Sequence, residues 1–512
     1  MGRKPLKAYR STAHWAWSRP FTQEYRNSSD TVYALSSALG RAGVSVIRIS
    51  GPKATQVFSS LTSPSTVPSA RYATLRKLYS PKERGREQLD EVLCLYFQGP
   101  HSFTGEDVVE LHVHGSVAVI SATLESLSQI SFRPADPGEF TRRAFYNGKM
   151  DLTSVEGLSD LISAETSAQR RQALWQLNGN KGALFNEWVQ LLTRALANIE
   201  ALIDFGEEEH LDIQIIAEVL PLVKNLRDSI SKHLGDGHRG EIVRSGIHVS
   251  IVGPPNAGKS SLLNHIAERP AAIVSPIKGT TRDIVEVRMD LGGLPVVMAD
   301  TAGISDEPSD PIELEGIRRA IERHEISSIK LVVLDIQSIL KSYDELCLGS
   351  LEPSITNLLI QAKTDLNAHL IINKVDLLPP MSPETSAQLK TKLFALTEIP
   401  TSRIHFTSCQ DDIGFDTLLE ALRMNVVSIL GWGESQAGSS SPEGASVITR
   451  SRHRYLLNEV VDALNKFLEN PSQVEVAAEE LRYAIYSLGK ITGKVDVEKI
   501  LEVIFKDFCI GK

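Results

Sequence analysis

Cysteine is scarce in this chain: four residues in 512, at positions 94, 347, 409 and 509. No two form a C-x-x-C pair, so neither a disulfide framework nor a thiolate zinc site is spelled out. The usage suits a reducing compartment. Long apolar runs are missing too. Without a stretch of about 18 apolar residues, no membrane span is expected. Positive charge is not in excess: 54 Lys and Arg face 63 Asp and Glu, for a formal net charge of −9. That excludes broad electrostatic binding to nucleic acid, so any RNA contact must use a local basic surface.

The first thirty residues depart from this balance. They carry Arg3, Lys4, Lys7, Arg10, Arg19 and Arg26, and no acid before Glu24. Basic, hydroxylated and lacking a long apolar segment, residues 1–30 read as a transit peptide to the mitochondrial matrix; the plainer alternative is a disordered basic arm.

The remaining length is too great for one core, and about 150 residues per domain suggests about three. Residues 31–150 read as mixed α/β, with strands at 42–50, 91–97 and 107–115 and helix over 116–129. Over 151–244 the apolar period becomes helical, through Leu152, Val155, Leu158 and Leu161, then Leu184, Trp188, Leu191, Leu192, Leu196, Ile199 and Ile203. From 245 to 432, buried-type strands at 247–253, 295–300, 330–335, 369–373 and 403–408 alternate with helices, which predicts a doubly wound parallel sheet. A Gly/Ser linker occupies 433–446, and 447–512 returns to helix. The expected fold class is α/β plus α: an α/β domain inserted into a helical bundle that the tail completes, behind an N-terminal α/β domain.

The inserted segment carries the chemistry. "GPPNAGKS" (253–260) fits G-x-x-x-x-G-K-S between a strand and a helix. Gly253 and Gly258 let the backbone wrap a phosphate, with Asn256, Ala257 and Ser261 completing the loop and helix start. Lys259 is placed for the β/γ-phosphates and Ser260 for Mg²⁺. "DTAG" (300–303) follows a strand, so Asp300 can hold Mg²⁺ through water while Thr301, Ala302 and Gly303 lie at the γ-phosphate. "GTTRD" (279–283) offers Thr281 as a further Mg²⁺ ligand. "NKVD" (373–376) ends another strand: Asp376 accepts from guanine N1–H and the 2-amino group, and Asn373 and Lys374 flank the purine. "SCQ" (Ser408, Cys409, Gln410) follows the next strand and can cap guanine O6. Adenine lacks that donor pair and would leave a buried carboxylate unpaired. The four elements together predict GTP binding and hydrolysis. Ile304 occupies the place where Ras-like enzymes carry a water-orienting Gln, and no cis arginine finger is evident although Arg282 is near, so hydrolysis needs another source of charge.

These motifs, with "SPIKGTTRD", "SVIRISG" (45–51), "SFTGEDVVELHVHG" (102–115), "PGEFTRRAFYNGKMDL" (137–152) and the closing "FCIGK", resemble the MnmE (TrmE) family over residues 31–512. With its leader, the chain looks like a mitochondrial member. The resemblance implies K⁺ beside the phosphates, held by Asn256, Thr280 and backbone oxygens of Ser275 and Ile277. It also implies hydrolysis on pairing of two GTPase domains in a homodimer, with Glu313 orienting water and Glu315 a rival by spacing. It implies a folate-binding N-terminal domain, with Arg48, Glu110, Lys149 and the tail's Lys512 at a 5-formyl- or 5,10-methylene-tetrahydrofolate. It implies an MnmG-type FAD partner and an aminomethyl-type group added at carbon 5 of the wobble uridine of mitochondrial tRNA.

The tail itself has three readings. As a prenylation box, Cys-Ile-Gly-Lys puts Gly at an aliphatic place and Lys last, which is poor. A mobile end is the second. The third follows from the resemblance: with Lys512 at the ligand, Cys509 lies near a one-carbon donor, where a thiolate adding at uridine carbon 6 would activate carbon 5. The rival reading of the whole chain is a switch GTPase of ribosome assembly without modifying activity.

Overall fold

The structure, a computed structural model, describes residues 30–81, 86–205, 209–269, 272–273, 286–300, 327–342, 345–346, 353–379, 382–431, 446–495 and 511. The chain divides into two compact units, residues 1–159 with 492–512, and residues 160–491.

The first unit is built on a seven-stranded sheet of β1 (Val32–Leu35), β2 (Ala42–Ser50), β3 (Thr62–Ser63), β4 (Thr74–Tyr79), β5 (Gln88–Phe97), β6 (Val108–Gly115) and β7 (Arg133–Pro134), in the order β3-β4-β5-β6-β2-β1-β7. One face buries Ile47, Ile49, Val92, Cys94, Val109, Leu111 and Val113 beneath α1 (Gln56–Leu61) and α2 (Val117–Gln129). Alternation along β2 and β6 sets this face, because successive strand residues point to opposite sides. The alternate residues, Arg48, Glu110 and His112 among them, therefore lie on the other face. Burial pushes the Cys94 thiol up to about 12, so it is an inert apolar group. Next in the chain come α3 (Glu139–Tyr146) and α4 (Leu152–Ile162).

The second unit holds two architectures. α5 (Ser167–Leu177) leads into α6 (Asn180–Phe205) and α7 (Glu209–Leu234). Phe185, Trp188, Leu192, Ile199, Val223 and Ile230 of these helices share one core with Leu457, Val460, Leu464, Leu481 and Leu488, from the helices Ser451–Glu469 and Val474–Thr492. The bundle thus draws on chain from before and after the intervening sheet. α8 (Arg239–Ser245) and Gly246, at φ +90°, turn the chain into that sheet.

The sheet contains β8 (Ile247–Val252), β9 (Ala272–Ile273), β10 (Glu286–Asp290), β11 (Pro295–Asp300) and β12 (Ile329–Asp335). A small ribbon of β13 (Leu340–Ser342) and β14 (Glu345–Leu346) follows, then β15 (Ala368–Asn373) and β16 (Ile404–Phe406) return to it. Its order is β16-β15-β12-β8-β11-β10-β9. Five strands are parallel, but β10 runs antiparallel to β11 and to β9, so the sheet is mixed where the sequence predicted a parallel one. The cause is connection length. Only Leu291–Leu294 joins β10 to β11, and a parallel return needs a crossover of about a dozen residues. One face packs Ile251, Leu262, Leu331 and Leu422, the other Val252, Val332, Leu370 and Ile372.

Candidate functional site

β8 runs into the loop 253–258 and the loop into α9 (Lys259–Ala267). Glycine makes this reversal possible. Gly258 has φ +92°, and a Cβ there would stand 2.2 Å from Asn373 Nδ2; a Cβ on Gly253 would stand 2.1 Å from the Val333 carbonyl oxygen. The first N–H groups of a helix lack partners within it and carry partial positive charge, so loop and helix form a cradle for phosphate. Lys259 Nζ donates to the carbonyls of Gly253 and Pro254, both at 2.9 Å. Ser260 and Ser261 are exposed in the first turn of α9. Asp300 ends β11, in register with Ile251 at the end of β8, so its backbone comes beside the start of the loop. A loop that only glycine lets pack this close to Val333 and Asn373, a helix N-terminus and an ammonium on the loop fit a nucleotide polyphosphate, and the backbone of Asp300 ends the neighbouring strand.

The second cluster lies at the ends of β15 and β16. Asn373 is buried, and its Nδ2 donates to the Ala257 carbonyl at 3.0 Å while its Oδ1 accepts from Thr407 Oγ1 at 3.2 Å. This residue therefore ties the base-reading segment to the phosphate loop. Lys374, at φ +62°, places its ammonium 2.8 Å from Asp335 Oδ2 at the end of β12. Ser408 Oγ donates to Asp376 Oδ1 at 2.5 Å, which fixes the carboxylate's rotation. Burial pushes the Cys409 thiol up and Asp376 adds to it, against a bond to Asn373, so it stays neutral; Gln410 is exposed. Asp335 and Thr407 did not emerge from the sequence. Asp335 had a usable signal, its place at a strand end like Asn373; the spelling around Thr407 carried none. Ser275, Ile277, Thr280, Thr281, Thr301, Ala302, Gly303, Glu313 and Glu315 lie outside the described residues, as do Cys509 and Lys512.

Beneath this cluster lies a histidine pair. Asn425 donates to His369 Nε2 at 2.9 Å, which leaves His369 Nδ1–H to donate to His405 Nε2 at 3.1 Å. Burial drives His369 down to about 4, helped by Arg403, and His405 down to about 3, helped by His369 and Lys390. The unfolded chain takes up protons near pH 6.5 that the folded chain refuses. Their contribution to stability is thus complete above pH 6.5 and is lost as pH falls toward 4 and 3. Between pH 7.5 and 5 the unfolding free energy should drop by about 4 kcal/mol. Urea midpoints across this range check it, and a His369→Leu/His405→Leu chain should show a flatter profile.

In the first unit Arg48 of β2 stands opposite Glu110 of β6. Arg48 Nε and Nη2 lie 2.9 and 2.8 Å from Glu110 Oε1, and the guanidinium sits 5.2 Å from the Phe103 ring centroid and 5.7 Å from that of Phe140. The "PGEFTRRAF" segment supports this group from behind. Arg143, only 2% exposed, bonds Glu139, Glu106 and Asp30, and Ser50 bonds Thr104 and Glu106, both just after Phe103 in the chain. Burial alone would raise Glu139, but the Arg133 and Arg143 guanidiniums and the Asp136 N–H hold it below the usual carboxylate range. Lys149 is exposed and donates to the Pro100 carbonyl at 3.0 Å. At the other end of the chain Gly511 is buried, and its carbonyl accepts from Ser36 Oγ at 2.9 Å. β1 ends at Leu35, and its Ala34 pairs with Arg48, so the tail reaches the sheet one strand from that arginine. Phe140 is fully buried, so a cation, a carboxylate and the partly exposed Phe103 are what this face offers a ligand, and they suit one with paired N–H donors.

A glycine-wrapped phosphate loop tied through Asn373 to an N-K-x-D strand end defines a P-loop GTPase. Comparison with known proteins narrows the class. The family description "MnmE helical domain" matches residues 152–509, and "GTP-binding protein TrmE N-terminus" matches residues 31–149. The chain belongs to the MnmE (TrmE) family of tRNA-modification GTPases. It is 45% identical over 485 residues to the "5-taurinomethyluridine-[tRNA] synthase subunit GTPB3, mitochondrial" of Danio rerio, covering 94% of this chain and 93% of that protein. It is 44% identical over 488 residues to the Homo sapiens protein of the same name, covering 95% and 94%. The "tRNA modification GTPase MnmE" of Paramagnetospirillum magneticum is 44% identical over 484 residues, covering 94% of this chain and all of that one.

Proposed function

We propose that this chain is the GTP-hydrolysing subunit of a mitochondrial enzyme that modifies carbon 5 of the wobble uridine in tRNA. The observation that carries the reading is full-length similarity, at 44 to 45% identity, to proteins named for this reaction or for tRNA modification. The basic, acid-poor leader agrees with the mitochondrial names of the first two. The names "5-taurinomethyluridine" favour a taurine-derived product over a glycine-derived one.

In this reading GTP lies along the loop 253–258, with Lys259 on its phosphates and Ser260, Thr281 and Asp300 around Mg²⁺. Asp376 and Asn373 select guanine. Asn256, Ser275, Ile277 and Thr280 would hold a K⁺ that supplies positive charge at the phosphates when two subunits pair, and Glu313 would orient the attacking water. A tetrahydrofolate derivative at Arg48, Glu110, Lys149 and Lys512 would supply a one-carbon unit. Glu110 can accept from its amino-pyrimidine ring, cations suit its glutamate tail, and Cys509 is the candidate nucleophile toward the uridine. An MnmG-type FAD protein completes the complex.

The test is mass spectrometry of mitochondrial tRNA from cells lacking this gene, with turnover of the purified chain measured in KCl and in NaCl. Loss of the wobble modification and a potassium requirement are the expected results. Intact tRNA with defective mitochondrial ribosomes would favour the ribosome-assembly reading instead.

A further inference from the structure

The β10–β11 hairpin has an unusual position in the chain. β10 begins five residues after Thr281, and β11 ends on Asp300, so one short hairpin joins the two segments expected to sense the γ-phosphate. Its tip is held from outside the sheet. The Ala168 N–H, in the first turn of α5, donates to the Gly293 carbonyl at 3.0 Å. Ala168 is 4% exposed and shares a core with Leu291 and Leu294 from the two sides of the turn. Glu165 lies 3.7 Å from Arg288 of β10.

Both partners in this contact are stiff. In the turn, Gly292 and Gly293 have φ +65° and +91°, the Leu291 N–H donates to the Leu294 carbonyl, and the Gly293 N–H donates to Asp290 Oδ1. On the helix side a capping box closes the α5 terminus: Thr166 Oγ1 accepts from the Gln169 N–H, and Gln169 Oε1 accepts from the Thr166 N–H. The Ala168 N–H is one of the first-turn donors that the helix cannot satisfy, and the hairpin carbonyl takes it.

α5 also grips both crossings of the chain between sheet and bundle. Gln169 Nε2 donates to the Arg244 carbonyl at the end of α8, where the chain enters the sheet. Gln172 bonds both the N–H and the carbonyl of Ser446, and Gln176 accepts from Thr449, where the chain returns. Beyond Gly179, α6 carries on into the bundle core. Eleven helical residues span about 16 Å.

We propose that α5 is a rigid link that registers the position of the β10–β11 hairpin and passes it to α6 and to the returning segment 446–449. Ala168 is then a positioning residue: it touches no nucleotide and acts through the hairpin. The inference rests on the GTPase reading and adds the route by which nucleotide state reaches the bundle. Backbone contacts and a buried alanine suit this task better than an exposed ion pair, because they do not slip or screen with salt.

The test uses the full-length chain and compares amide hydrogen exchange in α5 and α6 with GDP and with a non-hydrolysable GTP analogue. Exchange in wild type should differ between nucleotides. Ala168→Leu wedges the helix start off the hairpin and should shrink that difference by at least about threefold, with GTP affinity within about threefold of wild type. A second arm keeps the packing at Ala168 but strains the turn, because Gly293 has φ +91°, and its reduced form measures that cost. A Cβ on Gly293 would stand 3.7 Å from Ser167 Cβ, close to the spacing of about 3.8 Å in disulfides. The Ser167→Cys/Gly293→Cys chain, oxidised, locks the link and should keep the nucleotide-dependent difference; the reduced chain is its own control. The proposal is overturned if Ala168→Leu leaves the difference intact, if the lock erases it, or if wild type binds GTP without any difference. A wild-type chain that fails to bind GTP would strike the GTPase reading instead.

Discussion

Asp376→Asn is expected to weaken guanine nucleotide binding by about 10³-fold and to make xanthine nucleotides the preferred ligand. The carboxylate, as proposed, accepts from guanine N1–H and from the 2-amino group. Hydrogen bonds to a charged acceptor contribute about 1.5–3 kcal/mol each, and an unsatisfied donor adds its desolvation cost. Xanthine has a carbonyl where guanine has the amino group, so it needs a donor from the protein. The structure indicates which way the new amide should face. Ser408 Oγ donates to Asp376 Oδ1 at 2.5 Å, and in the variant the amide oxygen keeps that bond. The NH₂ then takes the other oxygen's position. Ser408→Ala in the same chain releases that constraint and should blunt the gain for xanthine. Dissociation constants for GDP and XDP check both points. Unchanged guanine affinity in Asp376→Asn would remove Asp376 from the base site.

The phosphate loop and the N-K-x-D strand end are legible in the sequence. The segments 253–260 and 373–376 announce themselves in the sequence because each needs a particular backbone, marked by glycine or a strand end; of 300–303 only Asp300 lies within the described residues. Gly258 illustrates the point: its φ of +92° and the Asn373 amide 2.2 Å from its missing Cβ leave no other residue type unstrained. Arg48 and Glu110 came from the family resemblance and not from their own spelling; the strands that carry them were legible, and the register sets the two side by side. What stayed hidden depends on contacts distant in sequence. Asn373 looked like a base contact, yet its amide is also spent on Ala257 and Thr407. β10 was missed because "EVRMD" is short and half polar, and its pairing is decided by the two-glycine turn after it. The Ala168–Gly293 bond joins residues 125 positions apart through backbone atoms, which no side-chain pattern encodes.

Gly511→Ala should separate the two activities: wobble-uridine modification lost by at least about thirtyfold, with GTP turnover within about twofold of wild type. Gly511 is buried with φ +99°, and an added Cβ would stand 2.0 Å from the Leu35 carbonyl oxygen and 2.9 Å from Ser36 Cα. Those atoms belong to the backbone at the end of β1, a strand hydrogen-bonded on both sides, so nothing can swing away. The methyl would also need a backbone conformation that L residues adopt at a cost of roughly 1 kcal/mol or more. Both effects push the same way, and the tail must lift from the sheet. If Cys509 and Lys512 act as proposed, they lift with it, while the phosphate loop and the 373–376 segment keep their own contacts. Ser36→Ala makes a graded comparison. It removes only the hydrogen bond to the Gly511 carbonyl, worth about 1 kcal/mol, and should cost modification a few-fold. Because Gly511→Ala and Cys509→Ser would disable one step, the double variant should be no worse than the more severe single one. The measurement is the wobble nucleoside in mitochondrial tRNA from a null strain carrying each variant, with GTP turnover of the purified proteins alongside. Normal modification in Gly511→Ala would mean that the docked tail takes no part in the reaction.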